Sequence, residues 1–579
     1  MNALLSSNRQ FCLGIACALG GLGIALAEPA GPAANAAPRE PVQKQAEPLV
    51  ASLNLSDERR KQIMAELKRL DEDKSPPWAT TLGSPDGRRI ARESLARHGY
   101  TQNQLAWVDA LPDDVPADVR GYVVALHARQ LLRQGPPDIE MQWPEWDEGE
   151  TPGTEPDEQE KQAVVIDHTA GDDAETLLNS FIPRNVVYRS LHASFVQMGE
   201  NLDKLRAGFI PMPPIQDGEI VKAGDIYQGV PLLTLRLTEE GYYDPAAVAA
   251  AAELEIEAAA KEPAEEAPEK DEPSGPVYSE ELAEAVKRFQ EHHGREADGI
   301  LGPNTLEELN RSPDQEYEIL RLNLHRARML PDAPGDRFLI VNIPSTHVFA
   351  FSKSDTPVLG MRTIVGQTIR NRQTPVFRDV MTLLEFAPYW NVPVSIAGRT
   401  IVPNARKNSG YLEQNNFEIV PSYQSDNPRP VNNNTLSQVA SGSLLVHQKP
   451  GPKNALGSVK FLFPNDYAIY LHDTPDDELF DQAQRDFSNG CIRVENPAAL
   501  AEFVLGPQGW DRERVEQALA RSETKRVEVE QPINVYIIYL TAFPTWDATD
   551  ERQIRFYPDI YSHDQDHLLK VNEGEKSNE

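Results

Sequence analysis

The side chains best suited to chemistry lie close together: Tyr470-Leu471-His472-Asp473-Thr474-Pro475, then Ser488-Asn489-Gly490-Cys491-Ile492-Arg493-Val494. A thiol is a strong nucleophile only as the thiolate, and an adjacent imidazole is the usual means of forming one. The 18 residues between His472 and Cys491 are enough for the chain to leave a strand end and return alongside it. Gly490 lets the backbone approach a ligand, and amides near Cys491 can serve as an oxyanion hole. Arg493 adds positive charge beside a thiolate or a substrate carboxylate. Spacing alone leaves two readings open, a catalytic pair and a small buried hydrophobe with a nearby histidine.

The cysteine count sharpens the choice. Of 3 cysteines, Cys12 and Cys17 fall in an N-terminal segment with Arg9, an apolar run from Phe11 to Ala27, and Ala25-Leu26-Ala27 before Glu28. These are the marks of an export signal over 1–27, implying a periplasmic protein. The competing reading is an uncleaved tether to the inner membrane, and Leu13-Gly14-Ile15-Ala16-Cys17 makes a poor lipid-attachment motif. Once that segment is removed only Cys491 remains, so no internal disulfide can form. A lone thiol in an oxidising compartment is a liability, which points toward a nucleophile.

The elements that must position this pair occupy a long chain. Its 579 residues suggest several domains, and a 40% apolar fraction is ample for packed cores. A net charge of −33 leaves no basic stripe for nucleic acid and no polybasic patch for anionic lipid. Two tracts, 145–175 and 246–275, together hold −18 of that charge and read as solvated insertions. Residues 28–50 are Ala/Pro/Glu-rich and read as a linker. From 51 to 222 the periodicity is helical: Ile63, Leu67 and Leu70 share a face, Gly121–Gln134 is a helix, and Gly99 stops another after His98. Tyr188, Leu191, Phe195, Met198, Leu202 and Leu205 define a long single-faced helix. After Pro331 the texture becomes β, with a hairpin across Pro344-Ser345 and strand-like runs at 362–365, 382–386, 467–471 and 535–540. The Asn/Ser/Pro-rich stretch 402–440 has little periodicity and reads as a flap over a site. His563, Asp564 and His567 sit in a polar tail, and no metal site is read from them.

Between helical and β regions, 223–312 contains Pro231–Leu237, Val286–Gln290 and the turn Asp298-Gly299-Ile300-Leu301-Gly302-Pro303-Asn304-Thr305-Leu306. This stretch resembles the three-helix peptidoglycan-binding domain. Gly299 and Gly302 allow the turn, Pro303 opens a helix, and Leu306 and Leu309 face a core, so these positions read as structural. The acidic tract 246–275 interrupts the module after its first helix.

The pattern His472…Ser488-x-Gly490-Cys491-x-Arg493 resembles the signature of the YkuD family of L,D-transpeptidases. Pro388–Pro393, Gln448–Gly457, Val459-Lys460-Phe461 and Asn323-Leu324-His325-Arg326-Ala327-Arg328 resemble its long periplasmic YcbB-like branch, over roughly 178–565. His447 is a departure, standing where the pattern has Arg beside Gln448. The resemblance implies a multidomain α+β chain: a helical scaffold over 51–222, the small three-helix module over 223–312, and a mostly-β catalytic domain with a flap over 313–565. A tail over 566–579 follows. It further implies Cys491 as the acyl-accepting nucleophile and His472 as its base, oriented by the Asp473 carbonyl rather than by the Asp473 carboxylate. Ser488, Asn489, Gly490 and Arg493 would support the substrate or oxyanion, and Tyr470 and Trp390 would line the pocket, with a core role open for Trp390. The implied reaction joins peptidoglycan stem peptides into 3→3 cross-links through a thioester, without a cofactor, and carbapenem-type β-lactams are the implied inhibitors. The alternatives are hydrolysis or lipoprotein attachment by the same thioester, and an inactive wall-binding scaffold.

Overall fold

A computed structural model describes residues 40–53, 55–68, 76–136, 173–215, 219–246, 248, 275–546 and 553–565. The signal segment, most of both acidic tracts, Leu70, His567 and the tail from 566 lie outside the described residues. Among the described residues no helix is long and apolar enough to cross a membrane. The chain is a multidomain α+β protein, as the sequence implies.

Among the described residues the first region packs seven helices between Val42 and Ser180 around one apolar core. Ala117–Gln134 is its central rod, buried over most of its length, and Trp78 meets Tyr122 edge to face at 5.3 Å. The expected linker over 28–50 is corrected at its C-terminal end. Residues Val42–Ser52 are a helix whose Val42, Ala46, Leu49 and Val50 recur at helical spacing and are buried. That spacing outweighs the Pro/Ala/Glu composition, and even Pro48 is accommodated inside the helix. The acidic tract 145–175 likewise ends in structure, with Asp173 capping the helix Ala174–Ser180.

The long helix is present as Val186–Gly208, capped by Asn185, whose side chain accepts from the Tyr188 amide at 2.8 Å. Tyr188, Leu191 and Phe195 are buried, whereas Leu205 is 41% exposed, so only the first half is a packing face. That face joins the core of the β domain rather than that of the helical region. Three helices, Val230–Glu239, Glu280–His292 and Pro303–Leu309, share a separate core in the small module. Its turn is built around Gln290, whose amide bonds Asp298, the Ile300 carbonyl and Thr305 while accepting from the Gly299 amide. The turn residues are thus structural, as read.

The β domain is a closed barrel of eight strands. Its strands are β1 (Arg337–Asn342), β2 (His347–Ser352), β3 (Leu359–Ile364) and β4 (Phe377–Phe386), followed by β8 (Val459–Leu462), β9 (Leu471–His472), β10 (Ile492–Val494) and β11 (Lys525–Ile538). Going round, the order is β1-β11-β4-β8-β9-β10-β3-β2. Two pairs are parallel, β1 with β11 and β9 with β10. Closure leaves no open edge, and alternating side chains fill the interior. Between β4 and β8 the chain builds an appendage, with β5 (Trp390–Val392), β6 (Phe417–Val420) and β7 (Leu445–Gln448) in the order β5-β7-β6. Helices at Val402–Lys407 and Asn433–Ala440 cover this sheet and give it a core of its own. The stretch read as an aperiodic flap is therefore a folded unit.

Candidate active site

The site is set by the parallel pairing of β9 and β10. Leu471 lies opposite Ile492 and His472 opposite Arg493, which brings Tyr470 alongside Cys491 one step earlier. Because side chains alternate, Tyr470 and His472 share one face with Cys491 and Arg493. The thiol is thus flanked by the phenol and set diagonally from the imidazole. His472 is buried, and its Nδ1–H donates to the Asp473 carbonyl at 2.6 Å. A carbonyl partner fixes the proton on Nδ1 and leaves Nε2 with its lone pair free to accept one. The Asp473 carboxylate does not face the imidazole. It accepts from the Ser458 amide and hydroxyl at 2.7 and 2.6 Å and from the Thr474 amide at 2.8 Å.

Cys491 caps a tight turn. Ser488 is buried, donates its hydroxyl to the Cys491 carbonyl at 2.6 Å and accepts from the Gly490 amide at 3.0 Å. Gly490 has φ +120, and a Cβ there would meet Ile469 at 3.1 Å, so glycine is required twice over. Its amide is consumed by Ser488 and is not available to an oxyanion. Asn489 is exposed at the tip. The Cys491 sulfur faces the Ala468 carbonyl at 3.7 Å. Ala468 holds φ +54, a left-handed conformation that alanine adopts at a cost. Asn465 holds it there: its side chain donates to the Phe463 and Ile469 carbonyls and accepts from the Tyr467 and Ile469 amides. The strand expected over 467–471 is therefore corrected to the two residues of β9, because this loop breaks the extended run.

The electrostatics favour a resting pair without charge. Although Cys491 keeps some accessible surface, burial pushes its thiol up to about 11, against the pull of the Tyr470 amide and hydroxyl on the sulfur. Burial also lowers His472 to about 3, opposed by its bond to Asp473 and aided by Arg493 and Lys460. Both groups are neutral at pH 7. Arg493 does not point at the sulfur, since its guanidinium reaches Asp476 at 3.1 Å and Thr474 at 3.4 Å.

Trp390 stands in the appendage sheet, packed toward Phe417 at 6.1 Å, so its contacts are those of that unit's core. His447 lies on β7 opposite Asn391 and Glu418, with Nε2 at 3.1 Å from Glu418 and its ring 4.9 Å from Tyr389. The departure at 447 thus sits in the appendage sheet. His563 lies against the Tyr539 ring at 4.4 Å with the rings tilted, and Asp564 pairs with Arg326 at 2.6 Å. Among the described residues no cluster of metal-ligating side chains occurs. A cavity of about 350 Å³ between Arg184–Val187, Leu330–Asp336 and Lys353–Asp355 lies against β1, across the barrel from β9. It contains none of the reactive groups.

Residues 336–529 match the model of the L,D-transpeptidase catalytic domain (YkuD), and residues 270–309 match a model described as "Putative peptidoglycan binding domain". A Haemophilus influenzae protein named "Putative L,D-transpeptidase" is 32% identical over 254 residues, covering 44% of this chain and 50% of that relative. The chain thus spans about half the length of the curated relative it matches. The C-terminal part of the chain, which holds the barrel, the β9–β10 pair and the Ser488–Arg493 turn, is thus similar to YkuD L,D-transpeptidase catalytic domains, and the stretch before it is similar to peptidoglycan-binding domains.

Proposed function

We propose that the chain is an exported, cysteine-dependent L,D-transpeptidase that forms 3→3 cross-links in peptidoglycan. The observation that carries this reading is the clamp of His472 Nδ1 on the Asp473 carbonyl, which presents a neutral Nε2 on the face shared with Cys491. Cys491 attacks the carbonyl of the diamino acid in a tetrapeptide stem while its proton passes to His472 Nε2. The C–N bond to the terminal D-Ala breaks, that amine takes the proton, and a thioester remains. A side-chain amine of a neighbouring stem then attacks the thioester. It loses a proton to His472 and forms the new amide, and the sulfur recovers its proton. With the Gly490 amide taken by Ser488, the amide of Cys491 itself would meet the developing oxyanion.

Neutral partners suit this order of events. A buried thiol that ionises only as the carbonyl arrives spares the enzyme a resting thiolate open to oxidation. The module over 223–312 would hold the enzyme on the wall. The test is incubation of the mature chain with purified tetrapeptide dimers and mass analysis of products. Wild type should release D-Ala and yield cross-linked dimers, and Cys491→Ala should yield neither. Hydrolysed tripeptide without cross-links would replace this reading with the hydrolytic one. A carbapenem offers the same carbonyl and should leave one adduct, on Cys491.

A further inference from the structure

Behind the catalytic turn the loop 366–374 crosses itself and is pinned at its neck. A Cβ on Gly366 would stand 2.1 Å from the Arg372 carbonyl and 2.6 Å from the Thr374 amide, so the two ends of the loop are in direct backbone contact. Thr374 is buried, and its hydroxyl donates to the Gly490 carbonyl at 2.8 Å while accepting from the Gly366 amide at 2.8 Å. The loop is also laced to the turn through Ser488. Its amide donates to Val365 at 2.9 Å, and its carbonyl accepts from Gln367 at 3.1 Å.

The neck is closed by a side chain from far along the chain. Tyr561 is buried, donates its hydroxyl to the Gly366 carbonyl at 2.6 Å and accepts from the Thr374 amide at 3.1 Å. One phenol oxygen therefore satisfies a donor and an acceptor on opposite sides of the loop. Its own place is fixed, because the Tyr561 amide donates to Tyr539 at 2.8 Å and Tyr539 donates to Asp559 at 2.6 Å. Tyr561 lies beyond the stretch 336–529 that matches the catalytic domain.

We propose that Tyr561 is a positioning residue for the reaction, holding the neck of loop 366–374 so that Thr374 fixes Gly490 and thereby the aim of Cys491. This rests on the reading of Cys491 as the nucleophile. The catalytic unit then extends through the segment 553–565, and neither Tyr561 nor Thr374 touches substrate. Loss of the phenol hydroxyl leaves a buried amide and a buried carbonyl unpaired, which the neck relieves only by shifting. A shift of the turn misplaces the sulfur relative to His472 without altering the substrate surface, so turnover falls and KM does not.

The experiment compares the mature chain with Tyr561→Phe, Thr374→Val and Thr374→Ser. Cross-linking of tetrapeptide dimers gives kcat and KM, and alkylation by a small neutral reagent gives the thiol's intrinsic rate. Tyr561→Phe and Thr374→Val should lower kcat roughly five- to thirty-fold with KM within about twofold, the effect of losing one or two buried hydrogen bonds. Thr374→Ser keeps the hydroxyl and should stay within about threefold of wild type. Wild-type kcat in Tyr561→Phe overturns the proposal, and so does an equal fall in the Ser and Val variants, or a rise in KM alone. Should Tyr561→Phe not fold, the Val–Ser pair decides. If wild type forms no cross-link, the functional reading has failed. The alkylation rates then still judge the positioning, which is sunk if Thr374→Val and Thr374→Ser alkylate alike.

Discussion

At the scale of residues the site is a thiol and an imidazole that burial keeps uncharged. Between about 3 for His472 and about 11 for Cys491 neither group titrates, so kcat/KM, which reports the free enzyme, should be flat from about pH 5 to 9. An acid limb near 6.5 in that profile would mean a solvated histidine and would sink the arrangement. His472→Ala should cut acylation steeply, by ~10²–10⁴, since the proton then has no acceptor. Raising the pH toward 11 should restore part of the loss, because hydroxide can then ionise the sulfur. Tyr470 works in the opposite sense to burial, its hydroxyl and amide both favouring the thiolate. Tyr470→Phe removes one of these donors, so the pH midpoint of Cys491 alkylation should move upward. A midpoint that stays put or falls would show that the hydroxyl does not reach the sulfur.

Among the elements, the loop 463–470 decides where the sulfur points, and Asn465 decides the loop. Asn465→Ala removes four hydrogen bonds, three of them half-buried, and should cost about 1–3 kcal/mol by denaturant titration. Adding Ala468→Gly, which relaxes the residue at φ +54, should return about 1 kcal/mol. If the glycine change destabilises instead, Ala468 carries no strain. This loop also marks the limit of what sequence could tell. Tyr467–Leu471 alternates like a strand, and only the Asn465 side chain, bonding residues two and four places on, converts most of it into a turn. The β1–β2 hairpin, the helix from Val186 and the Gln290 turn were legible because their signals are local. So was the closeness of His472 and Cys491. Thr374 and Tyr561 were not, since 187 residues separate two unremarkable polar side chains that meet only in the fold. The helix at Val42 is masked for another reason, because its four apolar residues at helical spacing lie in a Pro/Ala/Glu-rich stretch.

For the whole molecule, the helix Pro313–Ala327 and the arginine just after it join the parts. Asn323 exchanges bonds with Thr541 at the end of the barrel, Arg326 pairs with Asp564, and His325 Nε2 lies 3.1 Å from the Gly99 carbonyl of the helical region. Arg328 lies over the rings of Tyr100 and Tyr188 at 5.2 and 5.4 Å and donates to the His98 carbonyl. In this seam His98 stacks on His192 at 4.2 Å and bonds the Tyr188 hydroxyl at 2.8 Å. Burial lowers His98 to about 2, helped by His192, Arg328 and Arg97, and burial lowers His192 as well. Below about 6.5 an unfolded chain protonates His98 while the fold keeps it neutral, so the unfolded state binds more protons and stability falls with acid, and the lowering of His192 acts in the same direction. His98 adds about 1.4 kcal/mol of lost stability per pH unit until its folded value is reached. The seam should therefore loosen on acidification. His98→Phe keeps the stack on His192 and removes one titrating group, so whatever it does to stability at pH 8, the slope of unfolding free energy between pH 4 and 6 should become shallower by about that amount. Denaturant titrations at several pH values give the slope directly. A slope equal to wild type would mean that His98 is not held neutral by the fold, and that the seam between helical region and barrel is indifferent to acid.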